Sequence, residues 1–442
     1  MAREVQTPYA SLSGKIEQRE ARVAIVGLGY VGLPLAMEFI GGGFPVYGVD
    51  IDEDRVASLK DGTSYVQDVS DADLQAALAT GRFDISDDSS VLEESDAIII
   101  CVPTPLRKTK DPDITYILVA VEKVCSHLRP PQLIVLESTT YPGTTEEILV
   151  PQVEERGARV GEDVFLAFSP ERLDPGNKFY TTKNTPRVVG GVTERCTEMA
   201  CRLYQSVLET VVPVSSARAA EMVKLLENTF RAVNIGLVNE VLLMCQVLGI
   251  DVWEVIDAAS TKPFGFMPFY PGPGLGGHCL PVDPQYLSWK LKTLNYHARF
   301  IELATDVNAS MPAVVVSRIA DALNDEGKAV NGSKILIIGL SYKKDVGDLR
   351  ESPALDILKL LYQKGATLWF NDPFVTESPL SDVPAEYVEL TPEVLDQSDC
   401  AVVVTDHTLY DYHFLAKHAS LLVDTRNATR DVPKGVGRVV KL

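Results

Sequence analysis

The segment Arg22-Val-Ala-Ile-Val26 runs straight into Gly27-Leu-Gly-Tyr-Val-Gly32 and then into an apolar stretch through Phe39. A short buried strand, a turn with glycines at its first, third and sixth places, and a helix read together as the opening of a dinucleotide-binding βαβ unit. The first glycine permits the tight turn and the second lets a pyrophosphate reach the backbone. The third lets helix and strand pack closely, with the phosphates at the helix N-terminus. A second strand, Pro45–Val49, ends on Asp50, 18 residues beyond Gly32. A carboxylate there accepts from ribose hydroxyls and repels a 2′-phosphate, which favours NAD over NADP. Arg55 lies where a guanidinium stacks on adenine or tolerates a phosphate.

Further strands are expected at Ala97–Val102, Leu133–Glu137 and Val164–Phe168, separated by helical or turn-rich stretches, the alternation of a doubly wound parallel sheet. Residues 1–20 read as a polar lead-in with a short helix over Ser13–Ala21. From Ala217 to Leu248 there is no proline and one glycine, Gly236, and the apolar spacing predicts a long helix. On it Glu221, Lys224, Asn228 and Arg231 fall at steps of three and four, forming one polar stripe. Val241–Leu248 is apolar nearly all round, which places it in a core or a subunit interface. Helical patterning continues over Leu303–Leu323, with Pro312 marking a kink or a fresh start.

At Lys334 the first theme returns. Lys334-Ile-Leu-Ile-Ile-Gly339 is again a strand meeting a glycine, Ala366–Asp372 again ends on an acid, and Ser398-Asp399 echoes Ser95-Asp96. The following Leu340-Ser-Tyr-Lys343 has lost the glycine fingerprint. The expected fold is therefore α/β: two Rossmann-like doubly wound parallel-sheet domains joined by a central helical domain. The expected divisions are a lead-in at 1–20, an NAD domain at 21–214, a helical dimerisation domain at 215–325 and a second nucleotide domain at 326–442.

With 41 basic against 61 acidic side chains, the net charge of −20 argues against a nucleic-acid or anionic-membrane binder. The seven cysteines are scattered without CxxC pairs, as in a reducing cytosol. Charged residues precede any apolar stretch at the start, and runs such as Ala97–Pro103 fall far short of the ~20 residues of a membrane span. A cytoplasmic location is expected. His407, His413 and His418 match no zinc spacing, so they are assigned to surface or packing and no metal is expected.

The most specific stretch is Gly272-Pro-Gly-Leu-Gly-Gly-His-Cys-Leu-Pro-Val-Asp283. Four glycines around one cysteine suit a backbone that must approach a ligand closely. Pro281 is read as a helix start that places Cys279 near an N-terminus, where a thiolate is stabilised. His278 is a rival base.

Taken in order, Gly27–Gly32, the Lys224/Asn228 pair, Gly276-Gly-His-Cys279 with Asp283, and Lys343-Lys-Asp-Val-Gly-Asp-Leu-Arg-Glu-Ser352 resemble the UDP-glucose/GDP-mannose dehydrogenase family from about Ala21 to Arg426. Within it, Ser169–Asn177 and Pro271–Cys279 look like the branch acting on UDP-N-acetylhexosamines. The resemblance implies oxidation of a sugar C6 alcohol to a carboxylate with two NAD in turn. UDP-N-acetylglucosamine is the expected substrate, the product serving surface polysaccharide synthesis, and UDP-N-acetylmannosamine and UDP-glucose are the runners-up. It implies catalytic roles for Cys279 as nucleophile, Lys224 and Asn228 at the oxyanion, and Asp283, Thr139 and Glu171 on water or its proton. Implied cofactor contacts are Gly27, Gly29, Tyr30, Val31, Gly32, Asp50, Arg55, Pro103, Thr104, Thr139 and Arg350. Implied substrate contacts are Glu171, Arg172, Lys224, Asn228, Arg231, Tyr270, Gly276, Lys344 and Arg426. A homodimer or higher homo-oligomer through the central helices is expected.

Two departures bear on the sugar. The glucose-type enzymes carry a second glutamate where this chain reads Asp174-Pro175-Gly176, and their basic residue before the glycine loop has no counterpart in Phe264–Tyr270. A β-hydroxyacid dehydrogenase shares the NAD domain and a Lys/Asn pair but needs neither Cys279 nor a second nucleotide domain. A non-catalytic nucleotide sensor would be indifferent to Cys279→Ala.

Overall fold

The computed structural model describes residues 7–442 except 108–110, 175, 176, 178 and 379, so Pro175 and Gly176 of the first departure lie outside it. The chain forms two compact units, Met1–Glu227 with Gln285–Asn295, and Asn228–Pro284 with Tyr296–Leu442. The helical stretch between the sheets is shared by both: the Ala217–Leu248 helix begins in the first unit and continues in the second.

The first unit is built on strands β1 (Val23–Val26), β2 (Val46–Val49), β3 (Phe83–Ser86), β4 (Ala97–Ile100), β5 (Gln132–Leu136), β6 (Val164–Phe168), β7 (Arg187–Gly191) and β8 (Val211–Pro213). Their order is β3-β2-β1-β4-β5-β6-β7-β8, parallel throughout except where β6 meets β7. Apolar side chains cover both faces, as a parallel sheet flanked by helices demands; β4, β5 and β6 are buried at every position. The first helix occupies Pro8–Glu17, earlier than expected. Thr7 accepts the Ala10 N–H as N-cap and Pro8 supplies the pre-set first turn, while Arg19 at φ 60° ends it.

The second unit repeats the arrangement with β9 (Lys334–Ile338), β10 (Thr367–Asn371), β11 (Ala385–Tyr387), β12 (Cys400–Val403), β13 (Leu422–Asp424) and β14 (Val439–Lys441), all parallel in the order β11-β10-β9-β12-β13-β14. Its core joins Met311, Val315, Ile319 and Leu323 of the Arg299–Asp325 helix to Ile335, Ile337 and Phe370 of the sheet. That helix runs through Pro312 without restarting. It meets the Ala217–Leu248 helix closely at Gly236, where a Cβ would stand 3.1 Å from Ala304, and through the buried Asn239–Asn308 hydrogen bond of 2.8 Å. The Ala217–Leu248 helix is long and apolar enough to cross a membrane by length and composition, and 33% of its most apolar window is buried. The expectation that nothing reaches such a length needs this amendment, because Glu240 and the asparagines interrupt the run without breaking the helix.

One buried charge pair fixes the end of β5. Glu137 accepts from Arg187 at 3.0 Å and from the Tyr204 hydroxyl, and the guanidinium lies 5.4 Å from the Tyr204 ring. Burial pushes the Glu137 carboxyl up, against the pull of Arg187 and Tyr204. Burial works against the Arg187 charge too, but Glu137, Tyr204, Glu171 and Cys101 together outweigh it and the guanidinium is pushed further up. Removing one partner strands the other. Arg187→Met is expected to cost about 3–5 kcal/mol in denaturant unfolding, and Glu137→Leu added to it should recover part of that loss because no charge is then left unpaired.

Candidate active site

The turn after β1 is built for close approach. Gly27 holds φ +96°, and a Cβ there would meet the Cys101 carbonyl at 2.6 Å. A Cβ on Gly32 would sit 1.9 Å from the Gly27 carbonyl, so only glycine lets the helix pack here, whereas Gly29 faces open space. No side chain caps the start of the Gly32–Gly41 helix at Val31 among the described residues, which leaves that end to an anion. Asp50 is buried and accepts the Leu28 N–H at 2.8 Å and the Asp52 N–H at 3.1 Å. These features fit NAD: a cradle open at the second glycine and a carboxylate at the strand end. Arg55 pairs with Asp52 and lies over the Tyr65 ring, while Tyr65 donates to the Leu28 carbonyl at 2.8 Å. Tyr65 thus belongs to this wall, a role with no motif to announce it. Tyr30 and Val31 are half-buried on the turn, Thr104 is buried and Pro103 exposed.

Thr139 is half-buried on the loop following β5. Glu221 holds that loop. Its carboxylate accepts the Gly143 N–H at 2.5 Å, the Thr145 N–H at 2.9 Å and the Thr145 hydroxyl at 2.7 Å. One turn further along the helix, the buried Lys224 ammonium donates to the Glu171 carbonyl at 2.7 Å and lies 3.3 Å from its carboxylate. Arg172 is engaged with Glu227 at 2.6 Å and with the Pro186 carbonyl. The structure thus brings Lys224 and Glu171 together within the first unit. Arg231, the end of the stripe, is exposed.

In the second unit the glycine loop is welded to the segment after β9. A Cβ on Gly276 would lie 2.5 Å from the Tyr342 Cβ, and Gly277, at φ +82°, donates its N–H to the Arg350 carbonyl at 2.9 Å. Cys279 follows on a turn whose carbonyl accepts from Val282 and Asp283. The helix begins at Asp283, two residues later than the start expected at Pro281, and Cys279 precedes it by four residues; proline ends the glycine loop and the acid starts the helix. Cys279 is half-buried, while the other six cysteines are buried and none is in a disulfide. Asp283 is fully buried and receives the Asn228 amide at 2.5 Å.

The remaining expected contacts are spread over this unit. The Arg350 guanidinium forks onto Asp348, Lys344 is exposed 3.8 Å from Asp406, and Arg426 donates to the Val404 carbonyl. Burial pushes the Arg426 guanidinium down, opposed by Asp406 and Asp424, so an anion would find it poorly solvated. The same guanidinium stands where a Cβ on Gly272 would meet it at 2.5 Å. Tyr270 stacks on Trp253 and donates to Asp257 at 3.0 Å.

Family models match three consecutive regions: the NAD binding domain of the UDP-glucose/GDP-mannose dehydrogenase family at residues 21–208, its central domain at 218–310 and its UDP binding domain at 336–431. A UDP-N-acetyl-D-glucosamine 6-dehydrogenase of Pseudomonas aeruginosa is 38% identical over 361 residues, covering 81% of this chain and 84% of the relative. A UDP-N-acetyl-D-mannosamine dehydrogenase of Methanococcus maripaludis is 35% identical over 396 residues, 88% of this chain and 87% of its own length. Among solved structures, the UDP-N-acetyl-mannosamine dehydrogenase of Pyrococcus horikoshii superposes with a TM-score of 0.86 at 32% identity, covering 95% of this chain and 99% of that one.

Glu221 titrates inside this site. Burial raises its carboxyl from 4.5 to about 7, although the Thr145 and Gly143 bonds favour the charged form. Between those values the folded chain keeps a proton that the unfolded chain releases, so stability falls as pH rises through the window, by up to about 3 kcal/mol. Thermal unfolding from pH 4 to 8 should show this slope in the native protein and a shallower one in Glu221→Gln.

Proposed function

The chain belongs to the UDP-glucose/GDP-mannose dehydrogenase family, and from that premise we propose that it oxidises the C6 alcohol of a UDP-N-acetylhexosamine to the carboxylate through a covalent intermediate on Cys279. The observation that carries this reading is Cys279 itself: the half-buried thiol on a glycine-built turn, followed by a buried carboxylate, Asp283, that is hydrogen-bonded to Asn228. The Gly27–Gly32 turn and Asp50 would hold NAD, which would supply a hydride acceptor, one hydride to each of two NAD used in turn per sugar.

The chain's own groups do the rest. Lys224 stabilises the alkoxide as C6 loses its first hydride, its charge already fixed by the Glu171 carbonyl and carboxylate. The Cys279 thiolate adds to the aldehyde carbon, and the thiohemiacetal so formed keeps the aldehyde from leaving. Loss of the second hydride gives a thioester. Water, deprotonated through Asp283 with help from Glu171 and Thr139, attacks the thioester carbon and expels the thiolate. The sum is alcohol, two NAD and water to carboxylate, two NADH and three protons. Lys344 and Arg426 are assigned to the diphosphate, with Arg172, Arg231, Tyr270 and Gly276 around the nucleotide sugar; Arg350 joins Tyr30, Val31, Pro103, Thr104 and Arg55 on the cofactor side.

For the sugar, UDP-N-acetylglucosamine is the first choice, supported by the Pseudomonas relative. The Methanococcus and Pyrococcus relatives favour UDP-N-acetylmannosamine as the second. We also propose a cytoplasmic homodimer. Its support is the thiol state of all seven cysteines and the exposed apolar side chains Phe230, Leu237, Met244, Phe300 and Leu303 on the two long helices.

Counting NADH against limiting UDP-N-acetylglucosamine, UDP-N-acetylmannosamine and UDP-glucose in parallel tests the reaction. Two NADH per UDP-N-acetylhexosamine are expected; one per sugar would remove Cys279 as acyl carrier, and two from UDP-glucose alone would move the substrate. Lys224→Ala should lower kcat by roughly 10²–10³, the cost of one lost oxyanion donor.

A further inference from the structure

The two sheets end their second strands alike. Asp50 accepts the N–H of Leu28, just past the first glycine, and of Asp52; Asp372 accepts the N–H of Leu340, just past Gly339, at 2.7 Å, and of Phe374 at 2.8 Å. They differ in what else meets the carboxylate. Asp372 is fully buried and also takes the Ser341 N–H and hydroxyl, while the His407 Nε2 lies 3.1 Å from the same oxygen.

His407 is fully buried, packed against Phe374 and Tyr410, and its other nitrogen, Nδ1, accepts the Asp345 N–H at 3.0 Å. A backbone N–H only donates, so Nδ1 offers a lone pair and Nε2 carries the hydrogen given to Asp372. The contact is returned from the other side. The Asp345 carboxylate receives the Thr408 N–H at 2.8 Å and its hydroxyl, and the Thr405 hydroxyl donates to the Ser341 carbonyl at 2.5 Å. Asp345 itself sits at φ 60°, a conformation a non-glycine residue holds only when its surroundings impose it. The turn at 340–345 is thus clasped to 405–408 at both ends, and Lys344 projects from it into solvent.

We propose that His407 is the positioning residue for nucleotide-sugar recognition in the second unit: by spending the Asp372 carboxylate on its own Nε2–H, it converts the acid that serves ribose in the first sheet into an internal lock on the turn that presents Lys344. This rests on the reading of Lys344 as a diphosphate contact given above.

Calorimetric UDP affinity, and KM against kcat for the UDP-sugar, are measured for the native protein, His407→Phe and His407→Gly, with NAD affinity as the control on the first unit. His407→Phe fills the space without either hydrogen bond. It should weaken UDP binding and raise KM roughly tenfold or more, the worth of one or two buried hydrogen bonds, with kcat and NAD affinity within about twofold. In His407→Gly, added imidazole should restore UDP affinity in a dose-dependent way that the native protein does not show. Unchanged UDP affinity and KM in a folded His407→Phe overturns the proposal. If that variant does not fold, an imidazole titration of His407→Gly that leaves UDP affinity flat overturns it instead. Native protein that fails to bind UDP overturns the functional reading along with it, so the two failures are told apart.

Discussion

A carboxylate at the end of the second strand, bonded to the backbone just past a glycine, is the constraint on which both units are built. Asp50 and Asp372 each take the N–H of the residue after the turning glycine, so each fixes where the first strand stops and its loop departs. In the first unit that leaves an open cradle at Gly29 and an uncapped helix start, the conditions under which a pyrophosphate replaces protein as hydrogen-bond partner. In the second, burial works to raise the Asp372 carboxyl, but His407 and the backbone donors outweigh it and hold it below the ordinary carboxylate range. One device therefore serves an exchangeable ligand in one sheet and a permanent one in the other.

The long helix supplies the polar groups between these sheets in sequence. Glu221, Lys224 and Asn228 lie on successive turns and are all buried, which is tolerable only because each is matched: Glu221 by the loop after β5, Lys224 by Glu171, Asn228 by Asp283. On the proposed reading, the Lys224 ammonium, already held in fixed geometry, costs little reorganisation when a substrate oxygen becomes negative.

Much of this was legible from residue order because it rests on local patterns. The Ala217–Leu248 helix has the bounds its composition implies, and the glycine turn, Asp50 and the return of the theme at Lys334 all stand where the strand–glycine pattern puts them. Local signals also misled. Pro281 suggested a helix start, yet Asp283 begins the helix, and Ser13–Ala21 lost to the Thr7 cap and Pro8. What stayed hidden depends on tertiary pairing. Glu137 and Arg187 are 50 residues apart, and His407 lies 35 from Asp372, so no spacing rule joins them. The spacing of His407 points to packing or surface, and it is a packed residue, but its hydrogen bonds with Asp372 and Asp345 depend on tertiary pairing.

The covalent role of Cys279 is the claim on which the chemistry turns, and the mass of the enzyme during turnover tests it most directly. Acid quenching with NAD and UDP-N-acetylhexosamine present, followed by mass spectrometry of the Cys279 peptide, should show a population carrying the nucleotide-sugar acyl group, absent when NAD is left out and absent in Cys279→Ala. A Cys279→Ala enzyme that still releases two NADH per sugar at the native rate, with no acylated peptide in either protein, would contradict it.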